Sequence, residues 1–180
     1  MTKIDLDFEH VEITEPIAKS LQALAEFTSN RLSEGLSNCD SPIEYALGIA
    51  LYVESLGRDT KHHITFADPE TGLPYHNITT LSPQYKVNKY RLDFLLSVPC
   101  MNGTLLYAIE CDGHDFHQKT KLQAQRDKKR DRYLTSKGYR VYRFTGSEIW
   151  KDPIGCASQI FEAVFNDMCQ LDCPELYRHG

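Results

Sequence analysis

At 180 residues, with 41% hydrophobic content and a formal net charge of −5, the chain has enough material for one ordinary domain with a buried core and is too acidic overall for a general polyanion binder. No apolar run approaches the ~20 residues that span a bilayer, and the acidic stretch from Met1 to Glu15 has the wrong composition for a signal peptide, so a cytoplasmic protein without a membrane segment is expected. Six cysteines, Cys39, Cys100, Cys111, Cys156, Cys169 and Cys173, lack CxxC spacing, which points to free thiols rather than a disulfide framework or a zinc site.

Residues from about Pro16 to Leu36 carry apolar side chains at Ile17, Leu21, Leu24, Ala25, Phe27 and Leu32, close to the helical period, with Pro16 in the first turn. Ser41-Pro42-Ile43-Glu44 then has the capping-box spacing that opens a second helix, expected to run to about Leu56. Glu44 has two uses open to it: partner of the cap's backbone, the favoured one, or a further acid reaching a site from a flanking helix. Between Arg58 and Tyr90 the pattern predicts strands at His63 to Ala67 and near Ile78 to Leu81, with a turn through Asp68-Pro69-Glu70-Thr71-Gly72.

Asn102-Gly103 separates two apolar runs, Leu92 to Met101 and Thr104 to Cys111. Asn-Gly is the strongest short-range signal for a two-residue type I′ hairpin. If Met101 faces Thr104, Asp93 lies opposite Asp112 and Leu95 opposite Glu110. Thr120 to Lys137 is rich in helix formers, with Gly138 suited to stop the helix, and Tyr139 to Phe144 alternates like a strand. Thr145-Gly-Ser-Glu148 repeats the capping-box spacing, so a short helix is expected from Ser147, and a last helix from after Pro153 to about Leu171. The elements describe an α/β sandwich around one sheet in a single domain.

Strand alternation puts Asp93, Glu110 and Asp112 on one face, with Glu110 diagonal to Asp93. Like charges this close persist where a cation joins them or where one keeps a proton. Hard oxygen donors with no cysteine pair beside them suit Mg²⁺ or Mn²⁺ better than Zn²⁺. The plainer alternative is a solvated hairpin end with unrelated acids. From Lys119 to Arg143 ten basic residues face two acidic ones, a local charge of +8 that contrasts with the acidic N-terminus. Lys119, Lys121, Arg126, Lys128 and Lys129 are therefore candidate contacts to a polyanion.

Four segments in order carry a family resemblance: Arg91-Leu-Asp93-Phe-Leu, Ile109-Glu110-Cys111-Asp112-Gly113-His-Asp-Phe-His117, Gln125-Arg126-Asp127-Lys-Lys-Arg130-Asp131, and Gly138-Tyr-Arg-Val-Tyr-Arg143-Phe144. Together they resemble the PD-(D/E)xK nuclease superfamily, in the branch of small bacterial domains of unknown function related to very-short-patch repair endonucleases. The resemblance covers roughly Ser41 to Trp150. It implies a restriction-endonuclease-like α/β core, a mixed four-stranded sheet flanked by helices. The single domain 1–180 then divides into an N-terminal helical extension (1–40), the core (41–150) and a C-terminal helix and tail (151–180).

The resemblance also implies a metal-dependent endonuclease acting on DNA phosphodiesters, with Asp93 as the motif's central aspartate, Glu110 as its acidic partner and Glu44 as the helix-borne glutamate. Where the superfamily usually carries lysine this chain has Asp112. A replacement must come from elsewhere: His117 as general base or metal-water ligand, His114 as the weaker alternative, and Lys119, Lys128 or Lys129 reaching in from the helix. Arg130 is expected as support. The metal set would be Asp93, Glu110, Asp112 and the Cys111 carbonyl, around Mg²⁺ or Mn²⁺. A nuclease-like module that binds nucleic acid or a partner protein without cutting is the alternative. The oligomeric state is left open, a homodimer included.

Overall fold

The computed structural model describes residues 15–58, 63–68, 70–113 and 121–172. The chain divides into two compact units, Met1–Glu34 and Gly35–Gly180. The described part of the first belongs to helix α1 (Glu15–Gly35), whose last residue falls in the second unit; in it Lys19 pairs with Glu15 one turn earlier at 2.7 Å.

The second unit opens with α2 (Pro42–Leu56). Ser41 caps it in extended conformation, and its hydroxyl accepts from the Glu44 N–H, with proline in the first turn. Strands β1 (Thr65–Phe66), β2 (Thr80–Pro83), β3 (Lys86–Val87), β4 (Tyr90–Arg91), β5 (Phe94–Cys100) and β6 (Gly103–Asp112) follow. Helix α3 (Lys121–Ser136), β7 (Tyr139–Thr145), α4 (Gly146–Lys151) and α5 (Pro153–Asp172) complete the unit.

One five-stranded sheet runs β1-β2-β5-β6-β7, and β3-β4 form a separate hairpin. The sheet is mixed: β1–β2 and β6–β7 are parallel, whereas β2–β5 and β5–β6 are antiparallel. A parallel neighbour needs a crossover, which α3 supplies between β6 and β7. The sheet exceeds the expected four strands because two residues of the His63–Ala67 stretch add to the β2 edge. Leu134 of α3 packs with Leu92, Leu95 and Ala108 on one face. On the other, Tyr107 donates to Asp167 of α5 at 2.7 Å, and α2 approaches so closely that a Cβ on Gly48 would lie 2.6 Å from Leu36 and 3.3 Å from the Phe94 ring. Among the described residues no helix is long and apolar enough to cross a membrane.

Two expectations shift in detail. The short helix starts at Gly146, not Ser147, because Thr145 is the residue that completes a reciprocal capping box with Glu148. The β5–β6 turn uses Met101 and Asn102, with Cys100 opposite Gly103, and the only positive φ there is Gly103 at 140°. A type I′ turn requires φ > 0 at both central residues, a condition Met101 and Asn102 do not meet. The glycine instead closes the turn at its far side. Pairing is displaced by two residues, so Leu95 faces Ala108 rather than Glu110. An even displacement leaves every side chain on its expected face.

Candidate active site at the strand ends

Asp93 stands immediately before β5. Its carbonyl accepts from the Gln84 N–H at 2.8 Å, and its Oδ2 accepts from the Cys111 N–H at 2.7 Å. Carrying the register one residue beyond Phe94–Ile109 brings Asp93 opposite Glu110, not opposite Asp112 as expected. The diagonal neighbour is thus the direct one. Glu110 and Asp112 fall in the same alternate positions of β6 as Leu106 and Ala108 and so lie on the α3 face.

The solvated-end alternative fails at Glu110, which is 3% exposed. Burial pushes its carboxyl up to about 7, Asp93 raising it further while Arg130 and Arg143 pull it back. Burial also raises the Asp93 carboxyl; the Cys111 N–H opposes this, and Glu44 and Asp112 add to it by repulsion. The acids are therefore one electrostatic group.

Positive charge reaches them from arginines. Arg130 of α3 donates to Glu110 through Nη2, which also meets the Arg91 carbonyl at 2.5 Å. Arg143 of β7 bridges Asp112 at 3.4 Å and Asp131 at 2.7 Å. Lys128 and Lys129, proposed to reach in from the helix, are exposed, as is Arg126. The inward stripe of α3 is one that Arg130 shares with buried Leu134, and lysines two and one positions earlier fall on other faces. Lys121 opens α3, but its side chain lies outside the described ones; His114, His117 and Lys119 also lie outside the described residues.

Glu44 serves the helix start and borders the acids at once. Its Oε1 accepts from Ser41 Oγ at 2.7 Å, and its Oε2 accepts from the Asp40 N–H at 2.9 Å and from Gln84 Nε2 at 2.7 Å. The backbone it satisfies is that of Asp40, one residue before the cap. Gln84 was missed by the sequence reading: it holds φ 52, joins Glu44 to Asp93, and has a buried Oε1 with no hydrogen-bond partner. Nothing in a lone glutamine within a turn marks it. Arg143 was readable as part of a basic run and of the last resembling segment, with no role given to it, since its place among the acids depends on β7 pairing parallel with β6.

Oxygen donors on one face suit a hard divalent cation. Burial pushes the neighbouring Cys39 thiol up to about 12 and raises that of Cys111, so neither offers a thiolate. Among the described residues, no group of three or more His, Cys, Asp and Glu side chains is set to hold an ion. Arginine nitrogens make the contacts instead.

No curated protein and no solved structure matches the chain. The family model REase_MTES_1575 matches residues 75–164, half of the chain and the part that carries β2 to β7, Asp93, Glu110, Asp112 and Arg130. With motif order, mixed sheet and this match in agreement, the chain belongs to the restriction-endonuclease-like family REase_MTES_1575, and its fold is that of a PD-(D/E)xK nuclease-like domain.

Proposed function

We propose that the chain is a metal-dependent endonuclease that hydrolyses DNA phosphodiester bonds, with Asp93, Glu110, Asp112 and the Cys111 carbonyl holding Mg²⁺ or Mn²⁺. The observation that carries the reading is the convergence of buried, mutually repelling carboxylates at neighbouring strand ends, within a family of nuclease type. Such an ion, when bound, polarises the scissile phosphate and lowers the pKa of its water. Arg130 must first release Glu110, and both it and Arg143 are then cations available to phosphate oxygens. His117 is the proposed proton acceptor, and Lys119, Lys121, Arg126, Lys128 and Lys129 the proposed backbone contacts, an attraction without sequence information.

The arginine pairing favours a second reading, in which Arg130 and Arg143 neutralise the acids permanently and the domain binds nucleic acid or a protein without cutting it. Incubating purified protein with supercoiled plasmid, linear duplex and single strands, in Mg²⁺, Mn²⁺ or chelator, separates the two. Metal-dependent nicking that disappears in Asp93→Ala and Glu110→Ala supports the enzyme. Salt-sensitive binding that ignores chelator, with no product on any substrate, supports the non-cutting module.

A further inference from the structure

The β3–β4 hairpin has two unlike faces. Its cross-strand pairs are Lys86 with Arg91 and Val87 with Tyr90. Val87 packs on the Leu92, Leu95, Leu134 cluster, and the Tyr90 ring stands 5.3 Å from that of Tyr133 on α3. Asn88 at the hairpin tip adds a hydrogen bond to the Tyr133 hydroxyl at 3.2 Å. One face is thus pinned to α3. Strand alternation turns Lys86 and Arg91 the other way, where both line a cleft of about 520 Å³ with Asn38, Asp40, Thr71 and Gln84.

The cleft adjoins the acids. Gln84 in its wall bonds Glu44 through the side chain and the Asp93 carbonyl through the backbone. Arg91 pairs with Asp40 at 2.5 Å, while Lys86 makes no ion pair among the described residues and leaves a cation at the rim. Two amides, Asn38 and Gln84, offer donors and acceptors, and Leu73, Pro83 and Tyr85 add apolar wall. The volume lies within the ~300–1,000 Å³ of sites that enclose one small ligand. A base swung out of its stack fits such a space; a duplex does not.

We infer that this cleft seats one unpaired nucleotide beside the strand-end acids, its phosphate on Lys86 and its base edge on the Asn38 and Gln84 amides. The inference rests on the nuclease reading of those acids and narrows its substrate to single-stranded or locally opened nucleic acid.

The test is binding without catalysis. Fluorescence anisotropy in chelator compares a short single strand with a blunt duplex of the same sequence on wild type, Lys86→Glu and Lys151→Glu. Lys86 and Lys151 are both exposed, and Lys151 lies on α4, outside the cleft. The expected result is single-strand binding weakened about tenfold or more in Lys86→Glu, because a charge-assisted hydrogen bond to phosphate is removed, with Lys151→Glu close to wild type and duplex binding little changed in either. Photocrosslinking of a strand bearing one 5-bromodeoxyuridine should mark wild-type peptide around Gln84 to Arg91.

Equal effects of the two lysine substitutions, or crosslinks elsewhere, would overturn the inference. Its failure is separable from that of the nuclease reading. Cleavage in Mn²⁺ by a protein whose Lys86→Glu variant binds single strands normally sinks the cleft alone. Absent cleavage with the binding defect intact sinks the catalysis alone.

Discussion

Glu110 and Arg143 stand opposite each other across the parallel β6–β7 ladder, and Arg143 reaches from that rung to Asp112 on its own sheet and to Asp131 on α3. With Arg130 on Glu110, two arginines from different elements tie Glu110 and Asp112 to the helix that crosses the sheet. The ion pairs that link α3 to the sheet therefore occupy the groups on which its proposed chemistry depends.

Arg130→Met should destabilise the protein at pH 8 by about 3 kcal/mol, because it leaves Glu110 buried and charged without its partner. At pH 5, where Glu110 holds a proton, the effect should be smaller. Urea unfolding at both pH values checks this. Adding Glu110→Gln should recover part of the stability at pH 8, and a double variant as weak as the single one would refute the pairing's role.

Glu110 also sets a pH dependence. Its folded carboxyl titrates at about 7 against the ordinary 4.5, so between these values the native state holds a proton that the unfolded chain has released. Stability contributed by this group is fully present below about pH 4.5 and is lost as pH rises through about 7, by about 3 kcal/mol in all. In chelator, Glu110→Gln should flatten that decline. A variant with the wild-type slope would show that burial is not what raises the carboxyl.

Asp93 has a structural and a proposed chemical task that two substitutions separate. Asp93→Ala strands the Cys111 N–H and should cost about 1–3 kcal/mol. Asp93→Asn keeps an oxygen acceptor and should stay closer to wild type in stability, yet lose metal-dependent cleavage by roughly a hundredfold or more. Thermal unfolding beside plasmid nicking makes the comparison. Full cleavage by the asparagine variant would remove Asp93 from the metal set.

Arg126, Lys128 and Lys129 are exposed on α3, and their removal should act on affinity through counterions. On duplex DNA the slope of log K against log salt should fall by about 0.9 for each phosphate that the protein no longer neutralises. An unchanged slope in the triple alanine variant would place the phosphate-binding surface elsewhere.

Local chemistry was legible from the chain. The Ser41 cap, the helix crossing to Gly138, the β7 strand and the common face of Asp93, Glu110 and Asp112 all follow from residue type and period, which act over a few neighbours. The register was not, because pairing Cys100 or Met101 with the facing strand preserves the same faces, and only the packed sheet and the Gly103 backbone distinguish them. Nor could composition say which of ten basic residues would reach the acids. That choice belongs to the crossover, which turns Arg130 inward beside Leu134 and lays Arg143 next to Glu110. The sequence alone determined the sheet's chemistry and its sidedness, since alternation needs no partner. Tertiary structure alone decided which charges meet, since burial and strand pairing bring together residues far apart in the chain.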